Sequence, residues 1–156
     1  MSCGSNRQKD GMAMEQGWIL FALLSAATAA LVAIFGKIGL EGIDSNTATA
    51  IRGIIMALVL VGVVVAEGKI TQIGTVLKNF DAMKFIFLSA LAGALSWLFY
   101  FLALKMGKAS QVAPIDRLSV VFVLILSTLF LGESASPKTI LGTVLVAVGA
   151  ILVALG

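Results

Sequence analysis

Histidine is missing from the chain altogether, and cysteine occurs once, as Cys3 in a polar leader. That leaves no Cys/His metal site and no disulfide framework. Charge is scarce as well: Asp, Glu, Lys and Arg make up 12% of the 156 residues, where ordinary soluble domains carry roughly 25%. No pair of carboxylates falls within any apolar run, and the serines there have no visible base. Acid–base and metal chemistry therefore lack their usual groups, Lys and Ser pairs formed in space are the one nucleophilic arrangement left open, and neither an enzymatic role nor a cofactor is expected.

What fills the space is hydrocarbon. Hydrophobic residues are 60% of the chain, against roughly 45–50% in soluble proteins, too many for the remaining polar surface to cover. They cluster in runs of about 20 rather than alternating, the pattern of helices that cross a bilayer and not of a membrane barrel. The expected fold is an all-α integral membrane protein, a bundle of five transmembrane helices over residues 18–36, 47–66, 85–104, 112–131 and 139–155. At about 1.5 Å per residue each run approaches the roughly 30 Å hydrocarbon thickness. Residues 1–16 read as a flexible polar tail and 17–156 as one domain. The first run is too long for a typical signal-peptide core, so it is expected to be retained although Ala27-Thr28-Ala29 resembles a cleavage site. Between the second and third runs, Ile70, Ile73, Val76, Leu77 and Phe80 recur at helical intervals. That segment reads either as an interfacial amphipathic helix or as a solvated loop.

The formal net charge of +3 does not point to nucleic acid, because the cations sit at span ends. With five spans, Arg7, Lys9, Lys69, Lys78, Lys84 and Lys138 share one side of the membrane, and Lys37, Lys105 and Lys108 the other. The positive-inside rule then puts the N-terminus in the cytoplasm of a plasma or inner membrane, with Gly156 outside. The bias is shallow, so two copies inserted in opposite orientations remain open as an arrangement.

Three ionisable residues lie within the runs: Arg52, Asp116 and Arg117. Each costs on the order of 2.5–3.5 kcal/mol at a helix centre, so a role is expected for them. Arg52 and Asp116 enter from the same side at similar depth, within reach of an ion pair. Such a pair either staples two helices, with Arg117 snorkelling to the headgroups, or contacts a polar or anionic substrate. Asp116, Ser119, Val123 and Ser127 share a face of the fourth run; Ser89, Gly93, Ser96 and Tyr100 share one of the third. These faces line a cavity or pack helices closely, and packing accounts for Tyr100 and Asp116 less well than for Ser89 and Gly93. Trp97 is an interface anchor or a pocket wall, whereas Trp18, nearer a span end, reads as an anchor. Pro114 marks a first helical turn or a break that opens backbone to a cavity. Gly142 and Gly149, seven apart, form a helix-association stripe.

The order Ser96-Trp97-Leu98-Phe99-Tyr100-Phe101-Leu102-Ala103-Leu104-Lys105, then Ala109-Ser110-Gln111-Val112-Ala113-Pro114-Ile115-Asp116-Arg117-Leu118-Ser119, leading to Leu131-Gly132-Glu133 and to Gly142 and Gly149, resembles the EamA-type branch of the drug/metabolite transporter superfamily. The resemblance is to its short five-span members and covers Trp18 to Leu155. It implies a secondary transporter or exporter of a small metabolite. Longer members carry two inverted domains around a central cavity, so a one-domain chain is expected to pair with a second copy, with the third and fourth helices lining the path. Smaller multidrug exporters of similar build pair through last-helix glycines spaced like Gly142 and Gly149, and couple protons through a first-helix glutamate. This chain has no carboxylate between Trp18 and Gly36, which sets it apart from proton-coupled cation export unless Asp116 fills that role. Glu133 matches a glutamate that the family places after the fourth helix, where a structural role is favoured. The partners expected are membrane lipids, a second copy and an unidentified small molecule. The competing reading is a non-transporting subunit of a larger membrane complex.

Overall fold

Helix formation here follows from burial in lipid, where every backbone N–H and C=O must find an internal partner. The computed structural model describes residues 4–156, with side chains from Gly17 onward. The described residues form helices and connecting turns, without a strand: α1 (Gly4–Gly39), α2 (Ser45–Ala66), α3 (Ile70–Lys78), α4 (Phe80–Met106), α5 (Ala109–Asp116), α6 (Ser119–Leu126), a π-helical stretch (Ser127–Leu131) and α7 (Pro137–Leu155). Five segments are long and apolar enough to cross a membrane: Gly17–Gly39, Ser45–Ala66, Phe80–Met106, Ala109–Leu131 and Pro137–Leu155. The chain is an all-α membrane protein of five spans.

The chain divides into two compact units, residues 1–35 and 36–156. The first consists of α1 up to Phe35. Its large side chains, including Trp18, Phe21 and Leu24, are exposed, as suits a helix whose solvent is lipid. Thr28 returns its hydroxyl to the carbonyls of Leu24 and Ser25, each at 3.0 Å, so that hydroxyl is satisfied within its own helix. Of the expected tail, Met1 to Cys3 fall outside the described residues, and the backbone from Gly4 to Gln16 continues the helix of the first span. Extending an existing helix avoids the unfavourable nucleation step, and Arg7, Gln8, Lys9, Met12, Ala13, Met14 and Glu15 are good helix formers.

In the second unit the helix ends are set by side chains that polar residues place there. Asp44 accepts from the Thr47 amide at 2.8 Å to start α2, Asn79 accepts from the Ala82 amide at 3.1 Å to start α4, and Ser136 accepts from the Thr139 amide at 3.2 Å to start α7. These caps explain why α2, α4 and α7 begin two to five residues before the apolar runs expected at 47, 85 and 139: a capped first turn is polar and needs no hydrocarbon. Gly68, at φ +68°, closes α2 in the left-handed conformation that glycine adopts without steric cost. The segment between the second and third spans is helical, as α3, and its apolar side chains remain exposed.

The fourth span departs from the expected single helix over 112–131. Pro114 has no amide to donate, and beyond it the amides of Arg117, Leu118, Val120 and Val121 all bond three residues back. The α-helix stops at Asp116 and restarts at Ser119. It ends in the π-helical stretch, where the Glu133 amide reaches the Ser127 carbonyl at 3.3 Å past Gly132 at φ +67°. Glu133 thus stands at the helix boundary, with its backbone closing the last turn.

Packing runs α2 on α4, α3 on α4, α4 on α5, and α5 and α6 on α7. The buried cluster is small: Leu40, Phe101 and Leu104, with Ala48, Trp97, Tyr100, Ala109 and Val112 against it. Two lysines lace the end of the unit where α4 finishes. Lys37 Nζ donates to the carbonyls of Leu104 at 2.6 Å and Gly107 at 2.8 Å, and Lys105 Nζ donates to Ile43 O at 3.1 Å. A cation is favoured at a helix C-terminus, where carbonyls lack intrahelical partners.

Removing that cap through Lys37→Met is expected to cost about 2 kcal/mol, the scale of hydrogen bonds from a charged donor, and to lower the thermal midpoint in detergent. A Cβ at Gly36 would stand 2.5 Å from Phe101 Cε1, so Gly36→Ala is expected to destabilise by about 1–3 kcal/mol through overpacking, in the same melting assay. The Asp44 carboxylate is held below its ordinary value of 3.8 by the Thr47 amide, then by the Thr47 hydroxyl. Its contribution is therefore complete above the ordinary value and is lost as pH falls through the lowered one. Melts across that acid range should show a decline that Asp44→Asn removes.

Candidate functional site

On α4, Ser96, Phe99, Tyr100 and Ala103 recur at spacings of three and four, which stacks them along one face. The first turns of α5 bring Val112, Ile115 and Asp116 opposite, and together these seven line a cleft of about 310 Å³. The lining is mostly apolar. Its polar groups are the Ser96 and Tyr100 hydroxyls and the Asp116 carboxylate, at the point where the α5 helix breaks. A largely apolar concavity with a few convergent polar groups is what a small-molecule site needs. Among the described residues no cluster of three or more His, Cys, Asp or Glu could hold a metal ion.

Of the residues singled out in the sequence, Ser96, Tyr100 and Asp116 meet in this cleft. Trp97 and Arg52 meet elsewhere. Trp97 and Phe101 follow Ser96 and Tyr100 by one residue each, about 100° further round the helix, and face α2 rather than α5. There the Arg52 guanidinium carbon lies 3.8 Å from the Phe101 ring centroid and 5.0 Å from that of Trp97. The Arg52–Asp116 ion pair considered from the sequence does not form: the ion pairs among the described residues are Lys69–Glu67 and Lys84–Asp81. The reason is rotational. The two residues enter from the same end of the unit at similar depth but approach α4 on different sides.

Tyr100 connects the two sides. It lines the cleft, packs edge-on against Phe101 with centroids 5.4 Å apart and planes at 87°, and lies within electrostatic reach of Asp116, Arg117 and Arg52. Arg52 itself is half-buried, and its Nε and Nη1 are out of solvent with no hydrogen-bond partner. Cation–π contact contributes about 2 kcal/mol when desolvated, whereas each buried donor left unpaired costs about 1–3 kcal/mol, more when charged. The aromatic bed alone does not balance two unpaired donors.

The remaining candidates lie outside the cleft. Arg117 and Ser119 are exposed beside the helix break, and Pro114 is half-buried within α5. Gly142 and Gly149 have nothing within 4 Å of a built Cβ; α7 instead buries Thr143 and Ala150, each one residue further on. Sequence reasoning missed Phe99, Ala103, Val112 and Ile115 in the lining. Their spacing from Ser96 and Asp116 could have found them. It also missed Phe101, whose signal was its position four residues after Trp97.

The model of the EamA-like transporter family matches residues 16–155. A protein of Sinorhizobium sp, named only as an uncharacterized transporter in the cobO 3′ region, is 44% identical over 141 residues, covering 90% of this chain and 99% of that protein. No solved structure matches. The family match over nearly the whole chain joins the five spans and the α4–α5 cleft in one conclusion: the chain is a multi-pass membrane protein that belongs to the EamA-like transporter family.

Proposed function

We propose that the protein is a secondary transporter, an exporter of a small metabolite, that works as a homodimer in the plasma or inner membrane, with α4 and the α5–α6 span lining the path. The observation that carries this reading is the cleft between α4 and α5, where Asp116 ends a broken helix beside Ser96 and Tyr100. Discontinuous helices are tolerated at membrane depth where they line a cavity, and transporters place their substrate and ion sites at such breaks. Membership of a transporter family and the relative's name support the same general activity.

Pairing is supported by the span count and by the surface. Asp116 and Arg117 are exposed and make no ion pair among the described residues, a costly state against lipid. A second copy closing over the cleft would remove both from hydrocarbon. In this reading Asp116 takes up a proton or contacts the substrate, Arg52, Trp97, Pro114, Arg117 and Ser119 shape the surroundings, and Gly142 and Gly149 meet the partner. No catalytic step is assigned to any residue. The excess of Lys and Arg on one side favours an N-terminus in the cytoplasm, and its shallowness favours insertion both ways.

Two measurements test the proposal. Proteoliposomes carrying Asp116→Asn should lose flux, to below about a tenth of the parent's, while size-exclusion profiles stay unchanged. If the parent protein moves no compound of a broad metabolite panel faster than empty vesicles, the transport reading fails. A topology reporter fused after Gly156 should give signal from both sides of the membrane if the pair is antiparallel. Signal from one side alone would exclude that arrangement.

A further inference from the structure

Arg52 lies five residues past Thr47, where the apolar run begins, about 7.5 Å along the helix axis and so inside a hydrocarbon layer of roughly 30 Å. Its guanidinium rests over Phe101 with Trp97 beside it, and two of its nitrogens are buried without a hydrogen-bond partner among the described residues. Buried arginine donors in folded proteins are nearly always paired, so this one is explained by a group that the chain alone does not supply. The carboxylates nearby are otherwise placed. Asp44 is bonded to both the amide and the hydroxyl of Thr47, and Asp116 opens into the cleft on the other flank of α4.

We propose that Arg52 is the receptor for an oxyanion, a carboxylate or a phosphate on a small free molecule, held on the α2–α4 side by a guanidinium that Phe101 and Trp97 keep in place. Three properties point to this ligand class. A guanidinium against aromatic faces is stabilised through its π surface, and its planar set of N–H donors matches carboxylate and phosphate geometry. Away from the ends of the spans, the charged residues of the second unit are Arg52, Arg117 and Asp116, a local surplus of one cation that an incoming anion would neutralise. Finally, Gly36 lies so close to the edge of Phe101 at Cε1 that an added methyl group would overlap it, which limits movement of the ring beneath the guanidinium before any ligand arrives. The depth favours a free molecule over a phospholipid headgroup, whose phosphate stays at the interface. The proposal rests on the transport reading only in identifying this oxyanion with the transported molecule.

Trp97, 5.0 Å from the guanidinium, is a built-in reporter, and Trp18 is the one other tryptophan. In a Trp18→Phe background, purified in a phosphorus-free maltoside detergent, emission is followed during titration with benzoate, inorganic phosphate, benzylammonium and benzyl alcohol. At least one of the two oxyanions should give a saturable change, with an apparent affinity about tenfold or more above that of the cation and the neutral alcohol. Arg52→Lys, which keeps the charge and loses the fork, should weaken the response by about tenfold, and Arg52→Gln should remove it. If the glutamine variant does not fold, judged by helical circular dichroism and size exclusion, the lysine variant decides. The proposal is overturned by the absence of a saturable response to both oxyanions, by an equal response in the substituted proteins, or by a response to phosphatidylglycerol in mixed micelles but not to the free anions. Binding without any flux in liposomes would remove the transport reading and leave this one. Flux with the same charge preference in parent and Arg52→Gln would do the reverse.

Discussion

Phe101 is held among three close neighbours. Gly36 lies so close that a Cβ there would overlap the ring, the Arg52 guanidinium lies 3.8 Å from the ring centre, and Tyr100 meets it edge-on. One turn further along α4, Leu104 is wholly buried, and its carbonyl accepts from Lys37. A membrane protein gains nothing from moving apolar surface out of water when its surroundings are already apolar, so such close contacts and charged hydrogen bonds must supply the specificity that a large core supplies in a soluble domain. The rotation of α4 follows from them. With Trp97 and Phe101 turned toward α2, Ser96 and Tyr100 are turned toward α5.

The second constraint is a missing donor. Pro114 interrupts the hydrogen-bond ladder of α5, and the amides that follow settle for carbonyls three residues back. A few residues later the same span loosens into a π-helical stretch. The polar backbone that these departures release is acceptable in a bilayer only beside a cavity or against protein. Asp116 stands at the first departure and lines the cleft, which gives its carboxylate an alternative to facing lipid.

Lipid as the solvent also explains why the unit looks unfinished as a single chain. Nearly all its large apolar side chains are exposed, which costs nothing in hydrocarbon. Exposed Asp116 and Arg117 do carry a cost, and among the described residues nothing lies within 4 Å of a Cβ built at Gly142 or Gly149. Lys37 and Lys105, which counted toward membrane orientation when only the sequence was considered, are also structural: each ties down a carbonyl at the end of the unit where α4 stops.

The spans were legible because length and hydropathy are local properties, and Ser96 with Tyr100 was legible because residues four apart share a helical face wherever the helix is placed. The caps at Asp44, Asn79 and Ser136 moved helix starts by a few residues, in ways that the polar residues flanking each run already carried. The partner of Arg52 was not legible. Choosing Phe101 over Asp116 requires knowing how α2 and α4 are rotated about their axes, and periodicity leaves that angle free. The target of Lys37, about 70 residues away in sequence, was hidden for the same reason, as was the place where the fourth span would yield to Pro114. The sequence by itself determined a five-span membrane protein and the polar residues available inside it. Only the tertiary structure decided that Asp116 looks into a cleft while Arg52 lies over an aromatic ring, because side-chain pairing depends on helix rotation, which only packing sets.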